Sequence, residues 1–146
     1  IRELSASRGL GDVYKRQVYL SVRLGFDQRV HKPHNKPSVA CLNRKYTENQ
    51  LFKYSALTMN SHRIHYDVDY CKTVEYYPSL VVHGPLLAQN LIDAADQRFQ
   101  GRLQCFKSRA LNPIFVSDEF SINTSETGEF WVTDKSGVLS MSAMAS

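Results

Sequence analysis

The sequence predicts an α+β domain in which an antiparallel sheet wraps one long helix. Three observations carry this. LLAQNLIDAADQRF behind Gly84-Pro85 has apolar residues at helical spacing, with Leu87, Leu91 and Ala94 or Ala95 on one stripe. The chain after Gly101 turns strand-like to its end. Its last strands are joined by Glu126-Thr127-Gly128 and Lys135-Ser136-Gly137, which suit hairpins and leave no length for crossovers.

The length of 146 residues is one ordinary domain, and such a domain buries roughly 70% of its unfolded surface. Hydrophobic residues at 42% and charged residues at 22% exclude a wholly disordered chain. No apolar run approaches the roughly 18 residues of a membrane span, and a signal-peptide plan is missing from the start. Cys41, Cys71 and Cys105 are odd in number and widely spaced, which disfavours a disulfide framework and a zinc knuckle. A reducing compartment is expected: cytoplasmic, or mitochondrial in a eukaryotic host. The net charge of +4 is half accounted for by residues 1–17, and no dense Lys/Arg block follows. A nucleic-acid groove is therefore not expected.

The segment from Ser7 to Gln17, SRGLGDVYKRQ, resembles one reading frame of a transposon-end library adapter. Residues 1–17 are accordingly read as a non-native tail that packs against nothing, with a natural disordered extension as the alternative. On that reading the true start is missing and the domain is the back half of a longer protein. Residues 18–45 are read as a linker or remnant of a preceding region, and 46–146 as the domain proper.

Within the remnant, Val18–Leu24 alternates as a short strand, and His31–Pro37 is a loop. Thr47 then caps a helix over TENQLFKYSALTMN, with Leu51, Tyr54, Ser55 and Thr58 on one stripe. SHRIHYD reads as extended, so that His65 and Asp67 share a face and His62 points away. Asp67 caps a short helix over Val68–Thr73, which Tyr76-Tyr77-Pro78 ends. A brief apolar run, Leu80–Val82, leads into His83-Gly84-Pro85, with Pro85 in the first turn of the long helix and Gly101 as its stop. Arg102–Arg109 alternates with Leu103, Cys105 and Phe106 as inward candidates, and Asn112-Pro113 marks a bulge or turn. Glu119–Thr124, Glu129–Asp134 and Val138–Ala143 complete four strands.

Two segments carry chemistry. His62, His65 and Asp67 lie beside Asn60, and an imidazole is well suited to move protons near neutrality. A structural histidine with Asp67 as a helix cap is the competing reading, and three ligands at metal spacing are missing. Val82-His83-Gly84-Pro85 brings the first N–H groups of a helix to a glycine, where an oxyanion or phosphate can approach the backbone. A glycine that only permits the turn is the alternative there.

Taken together, Ser55–Asp67 and Glu75–Leu86 resemble the MaoC-like hydratase/dehydratase family, in the branch of mesaconyl-CoA hydratases and type 2 hydroxyacyl-thioester dehydratases. The resemblance runs over about residues 46–144, and SRALNPIF from Ser108 is in the same style. It implies a hot-dog fold and reversible addition of water across the double bond of an enoyl thioester carried by CoA or acyl carrier protein. It implies no cofactor or metal beyond that carrier. His65 matches the family histidine and is the implied acid/base. Asn60 stands where the wider family has an aspartate, and an amide cannot titrate, so its implied role is to orient water or imidazole. Gly84 matches the glycine whose N–H polarises the thioester carbonyl. Arg63, Tyr66 and His83 are implied substrate-binding positions. Tyr76 and Ser79 depart from the family, standing where relatives carry glycine, which bears on the shape of the pocket. A homodimer, or pairing with a preceding hot-dog half, is expected. A hot-dog thioesterase and a non-catalytic half supporting a partner domain are the other function classes.

Overall fold

A computed structural model describes residues 2–7, 14–17 and 33–146. Seven strands form one sheet: β1 (Arg2–Ser7), β2 (Tyr14–Gln17), β3 (Ala40–Arg44), β4 (Cys105–Ala110), β5 (Phe120–Thr124), β6 (Glu129–Asp134) and β7 (Leu139–Ala145). Their order is β2-β1-β4-β7-β6-β5-β3, and every pairing is antiparallel. Three helices, α1 (Glu48–Leu57), α2 (Val68–Thr73) and α3 (Gly84–Arg98), lie between β3 and β4 in the chain. This is the sheet-around-helix plan of the hot-dog fold.

Local chemistry explains most boundaries. Thr47 and Gln50 form a reciprocal capping box at the start of α1. Leu51 and Ser55 bury one stripe of that helix, whereas Thr58 lies beyond it as the exposed C-cap. The long helix presents Leu87, Ala88, Leu91 and Ala95 to a core shared with Phe120, Ile122, Phe130, Val132 and Met141. It ends in a Schellman motif: Gly101 N–H donates to Asp96 O, Gln100 N–H donates to Gln97 O, and Gln100 stands at φ +52. In the β5–β6 connection Gly128 has φ +82, and a Cβ there would meet Ala145 O at 2.9 Å, so this position requires glycine.

Four expectations are corrected. Within the tail expected to pack against nothing, Arg2–Ser7 pair with Cys105–Ala110 of β4, and Tyr14–Gln17 pair with β1. Main-chain pairing needs no apolar face, and the edge of β4 offers unpaired N–H and C=O groups to any extended neighbour. The sheet also takes in Ala40–Arg44, which pairs with β5 ahead of the boundary drawn at 46. Arg63–His65 is a 3-10 turn, not an extended run: His65 N–H donates to His62 O and Tyr66 N–H to Arg63 O, and Arg63 pairs with Asp67 at i, i+4 spacing. In β4 the inward residues are Phe106 and Ser108, while Cys105 is half-buried. The strand expected over Val18–Leu24, together with Val13 and His31, lies outside the described residues.

Among the described residues no helix is long and apolar enough to cross a membrane.

Candidate active site

A short extended stretch, Leu80–Val82, scaffolds the site. Val82 N–H donates to Ile114 O at 2.8 Å, and Val116 N–H donates to Leu80 O at 2.8 Å. Val81 N–H donates to Ile64 O at 2.9 Å, so the 3-10 turn is fastened to the same stretch. Cys71 of α2 adds to this anchor, its Sγ lying 3.2 Å from Ile64 O, and burial pushes its thiol pKa up.

This arrangement fixes His65. The residue is 2% exposed, and its Nδ1 lies 2.7 Å from Val81 O. A carbonyl oxygen can only accept, so Nδ1 carries the proton and the neutral ring keeps its lone pair on Nε2. The ring stacks on His83, with centroids 3.7 Å apart and planes 18° from parallel. His62 meets the ring of His65 edge-on at 5.7 Å.

The N-cap of α3 is His83, and Gly84 is the first helical residue. Pro85 has no N–H to offer, and Leu87 N–H is taken up by His83 O, so the helix start presents Gly84 and Leu86 N–H groups at its positive end. The opening of α3 therefore stands beside His65, linked through the stacked His83 ring. The two sequence motifs meet in space.

Asn60 is half-buried, and its Oδ1 accepts from His62 N–H at 3.1 Å, bracing the turn that leads to His65. Arg63 is exposed, pairs with Asp67 Oδ2 at 2.7 Å and lies over the Tyr70 ring at 4.4 Å. Tyr66 is 39% exposed and donates its hydroxyl to Ser61 O. His83 is fully buried, with Nε2 2.8 Å from Ser55 Oγ. Asp67 does not share a face with His65: it caps α2 by accepting from Tyr70 N–H and holds Arg63. Those two contacts, the Tyr70 N–H first, hold its carboxyl below the usual carboxylate range. Among the described residues no three His, Cys, Asp or Glu side chains are grouped to hold a metal ion.

Sequence reasoning placed Ser55 and Tyr54 on a helix stripe but not at the site. Tyr54 meets the His83 ring edge-on at 4.7 Å, and burial is the main cause that pushes its phenol pKa up. The available signal was a serine in the apolar stripe of α1, one helical turn after Leu51. Of the two departures from the family pattern, Tyr76 stands at φ +56, a backbone region that glycine enters without strain.

Comparison with known proteins gives the family. A family model described as hydroxyacyl-thioester dehydratase type 2 matches residues 12–116. Mesaconyl-C(4)-CoA hydratase of Chloroflexus aurantiacus is 42% identical over 79 residues, covering 54% of this chain and 28% of that protein. The mitochondrial hydroxyacyl-thioester dehydratase type 2 of Schizosaccharomyces pombe is 36% identical over 85 residues, covering 56% of this chain and 28% of the relative. The aligned stretch thus spans just over a quarter of these relatives. A solved MaoC-like dehydratase from Phytophthora capsici superposes with a TM-score of 0.62 at 17% identity, over 95% of this chain and 48% of that one. The chain belongs to the hydroxyacyl-thioester dehydratase type 2 family.

Proposed function

We propose that this chain is a hydro-lyase that adds water to, or removes it from, the double bond of an enoyl or 3-hydroxyacyl thioester. The observation that carries the reading is the His65 imidazole, its tautomer fixed by Val81 O, set beside the opening of α3 at Gly84.

In the hydration direction His65 Nε2 takes a proton from water, and the hydroxide oxygen bonds to C3 of the enoyl thioester. The double-bond electrons move toward C1 and place negative charge on the thioester oxygen. Gly84 N–H, at the positive end of α3, donates to that oxygen. The enolate then collapses, and C2 takes the proton from the His65 imidazolium. Asn60 holds the turn that presents His65 through its bond to His62 N–H. Arg63 and Tyr66, both exposed beside the turn, contact the thioester carrier, whether CoA or acyl carrier protein.

A hydrolytic thioesterase is the weaker alternative, because the carboxylate of this segment, Asp67, is committed to Arg63 and the cap of α2. The proposed setting is cytoplasmic, or mitochondrial in a eukaryotic host. The proposed assembly is a homodimer or a pairing with a second hot-dog half, in keeping with a sheet whose end strands, among the described residues, are β2 and β3.

Hydration of a trans-2-enoyl-CoA, followed by loss of double-bond absorbance, tests the reading. His65→Ala is expected to lower turnover roughly 10²–10⁴-fold, the usual contribution of general acid–base catalysis. Asn60→Ala should cost less. Hydratase turnover unchanged in His65→Ala would remove His65 from the mechanism.

A further inference from the structure

One hydrogen bond does not hold an imidazole plane. The bond from His65 Nδ1 to Val81 O fixes a direction, and rotation about that direction is limited by what lies against the faces and edges of the ring, His62 at one edge. What lies flat against that ring is His83, at 3.7 Å and 18° from parallel. His83 is itself held from two sides by α1: Ser55 Oγ is 2.8 Å from its Nε2, and the Tyr54 ring meets it edge-on at 4.7 Å. Four residues from three parts of the chain thus converge on two stacked rings.

The burial pattern says what this arrangement is for. His83 is 0% and His65 2% exposed, so the two stacked rings are buried together. Ser55 is 5% exposed on the same helix stripe as Leu51, and a hydroxyl removed from water is costly unless it is hydrogen-bonded. Its partner is the His83 ring. The hydroxyl and the second imidazole therefore form one unit, and His65 lies flat on one face of its ring.

Resting on the hydratase reading above, we propose that His83, held by Ser55, is a positioning residue for His65: its ring sets the plane of the acid/base imidazole. This reassigns His83 from substrate contact to support. Without the stack, His65 keeps its bond to Val81 but loses the constraint on its plane, and Nε2 no longer points consistently at the reacting carbons.

The experiment compares His83→Leu, His83→Phe and Ser55→Ala in the full chain by two readouts. In the first, the ring nitrogens of 15N-histidine-labelled protein are followed by NMR, with the His65 signals identified by their loss in His65→Ala. His83→Leu should broaden or shift the His65 nitrogen signals through exchange of the ring between orientations, while the Nδ1–H tautomer held by Val81 O persists. His83→Phe, which keeps a flat ring in the stack, should leave them closer to wild type. In the second, misplacement of the reacting group should lower kcat by roughly 10²-fold in His83→Leu with KM changed less than about twofold. His83→Phe should recover much of that loss, and Ser55→Ala should fall between.

A rise in KM at unchanged kcat would return His83 to substrate contact and overturn the proposal. Unchanged His65 signals with unchanged kcat per folded molecule would make His83 a packing residue and overturn it equally. Should His83→Leu not fold, Ser55→Ala decides: unmoved His65 signals there refute the proposed coupling. Should the wild-type chain hydrate no enoyl thioester, the function reading fails by itself, while the His65 signals still decide the positioning role.

Discussion

Leu91 is the residue through which the fold and the site depend most directly on the same contacts. It is fully buried, midway along α3, in the core that the helix shares with the sheet. Full burial of a leucine side chain is worth about 1.5–3 kcal/mol in transfer from water. Leu91→Ala also leaves a cavity, because Ala88 and Ala95 on the same stripe are too small to fill it. The sum for such a change in a closed core is about 3–5 kcal/mol. For a chain of this size each kcal/mol lowers Tm by about 2–4 °C, so a fall of about 6–20 °C is expected. Urea unfolding should show a lower midpoint at an unchanged slope, the sign of lost stability without a change in exposed surface. Gln89→Ala, on the exposed side of the same helix, is the control and should stay within about 0.5 kcal/mol. A cost for Leu91→Ala below about 1 kcal/mol would mean that the sheet does not close over α3, and the placement of Gly84 beside His65 would lose its basis.

Two further outcomes follow from local contacts. Thr47→Ala removes the capping box of α1 and should cost about 1 kcal/mol in urea unfolding, with Thr47→Ser recovering most of it; no change would mean that the first turn of α1 is frayed in solution. The Asp67 carboxyl lies below its ordinary value, so its stabilising contribution is complete above the unfolded carboxylate pKa of about 4 and is lost as pH falls through the folded value. Asp67→Asn should therefore flatten the acid limb of stability against pH while leaving the shape near neutrality unaltered, and an unaltered acid limb would refute the cap and Arg63 pair as its source.

Much of the fold was legible because its signals are local. Leu87, Leu91 and Ala95 recur at helical spacing, and Gly84-Pro85 opens that helix with chemistry specific to a helix start. Thr47 with Gln50, and Asp67 before Val68, announce two more helices by their side-chain oxygens. The β5–β6 and β6–β7 connections show themselves by Gly128 and Gly137, both at positive φ. What was not legible lacked such marks. Leu103, ahead of β4, and Phe106, within it, are both buried but lie three positions apart, so a single alternation cannot set the phase of the strand. The pairing of Arg2–Ser7 with β4 is made by main-chain groups, which no side-chain pattern reports.

The turn at Arg63–His65 is the instructive difference, since it alters the chemistry of the site as well as its outline. Read as extended, the alternation of Arg63, Ile64, His65, Tyr66 and Asp67 puts an imidazole and a carboxylate on one face, which would form an acid–base pair with a counter-charge. Three residues are too few for a helical period to show, and the signal that distinguishes the turn is the i, i+4 ion pair between Arg63 and Asp67. In the turn, Asp67 caps α2 and pairs with Arg63, and the His65 Nδ1 proton goes to the neutral Val81 carbonyl instead. A carbonyl orients an imidazole without adding charge behind it. In the proposed hydration, the positive charge that His65 would take up is offset by the enolate forming in front of it, at the opening of α3, rather than by a resident anion. That is a charge arrangement fitted to the transition state more than to the resting site, which favours the chemical step over tight binding of the substrate.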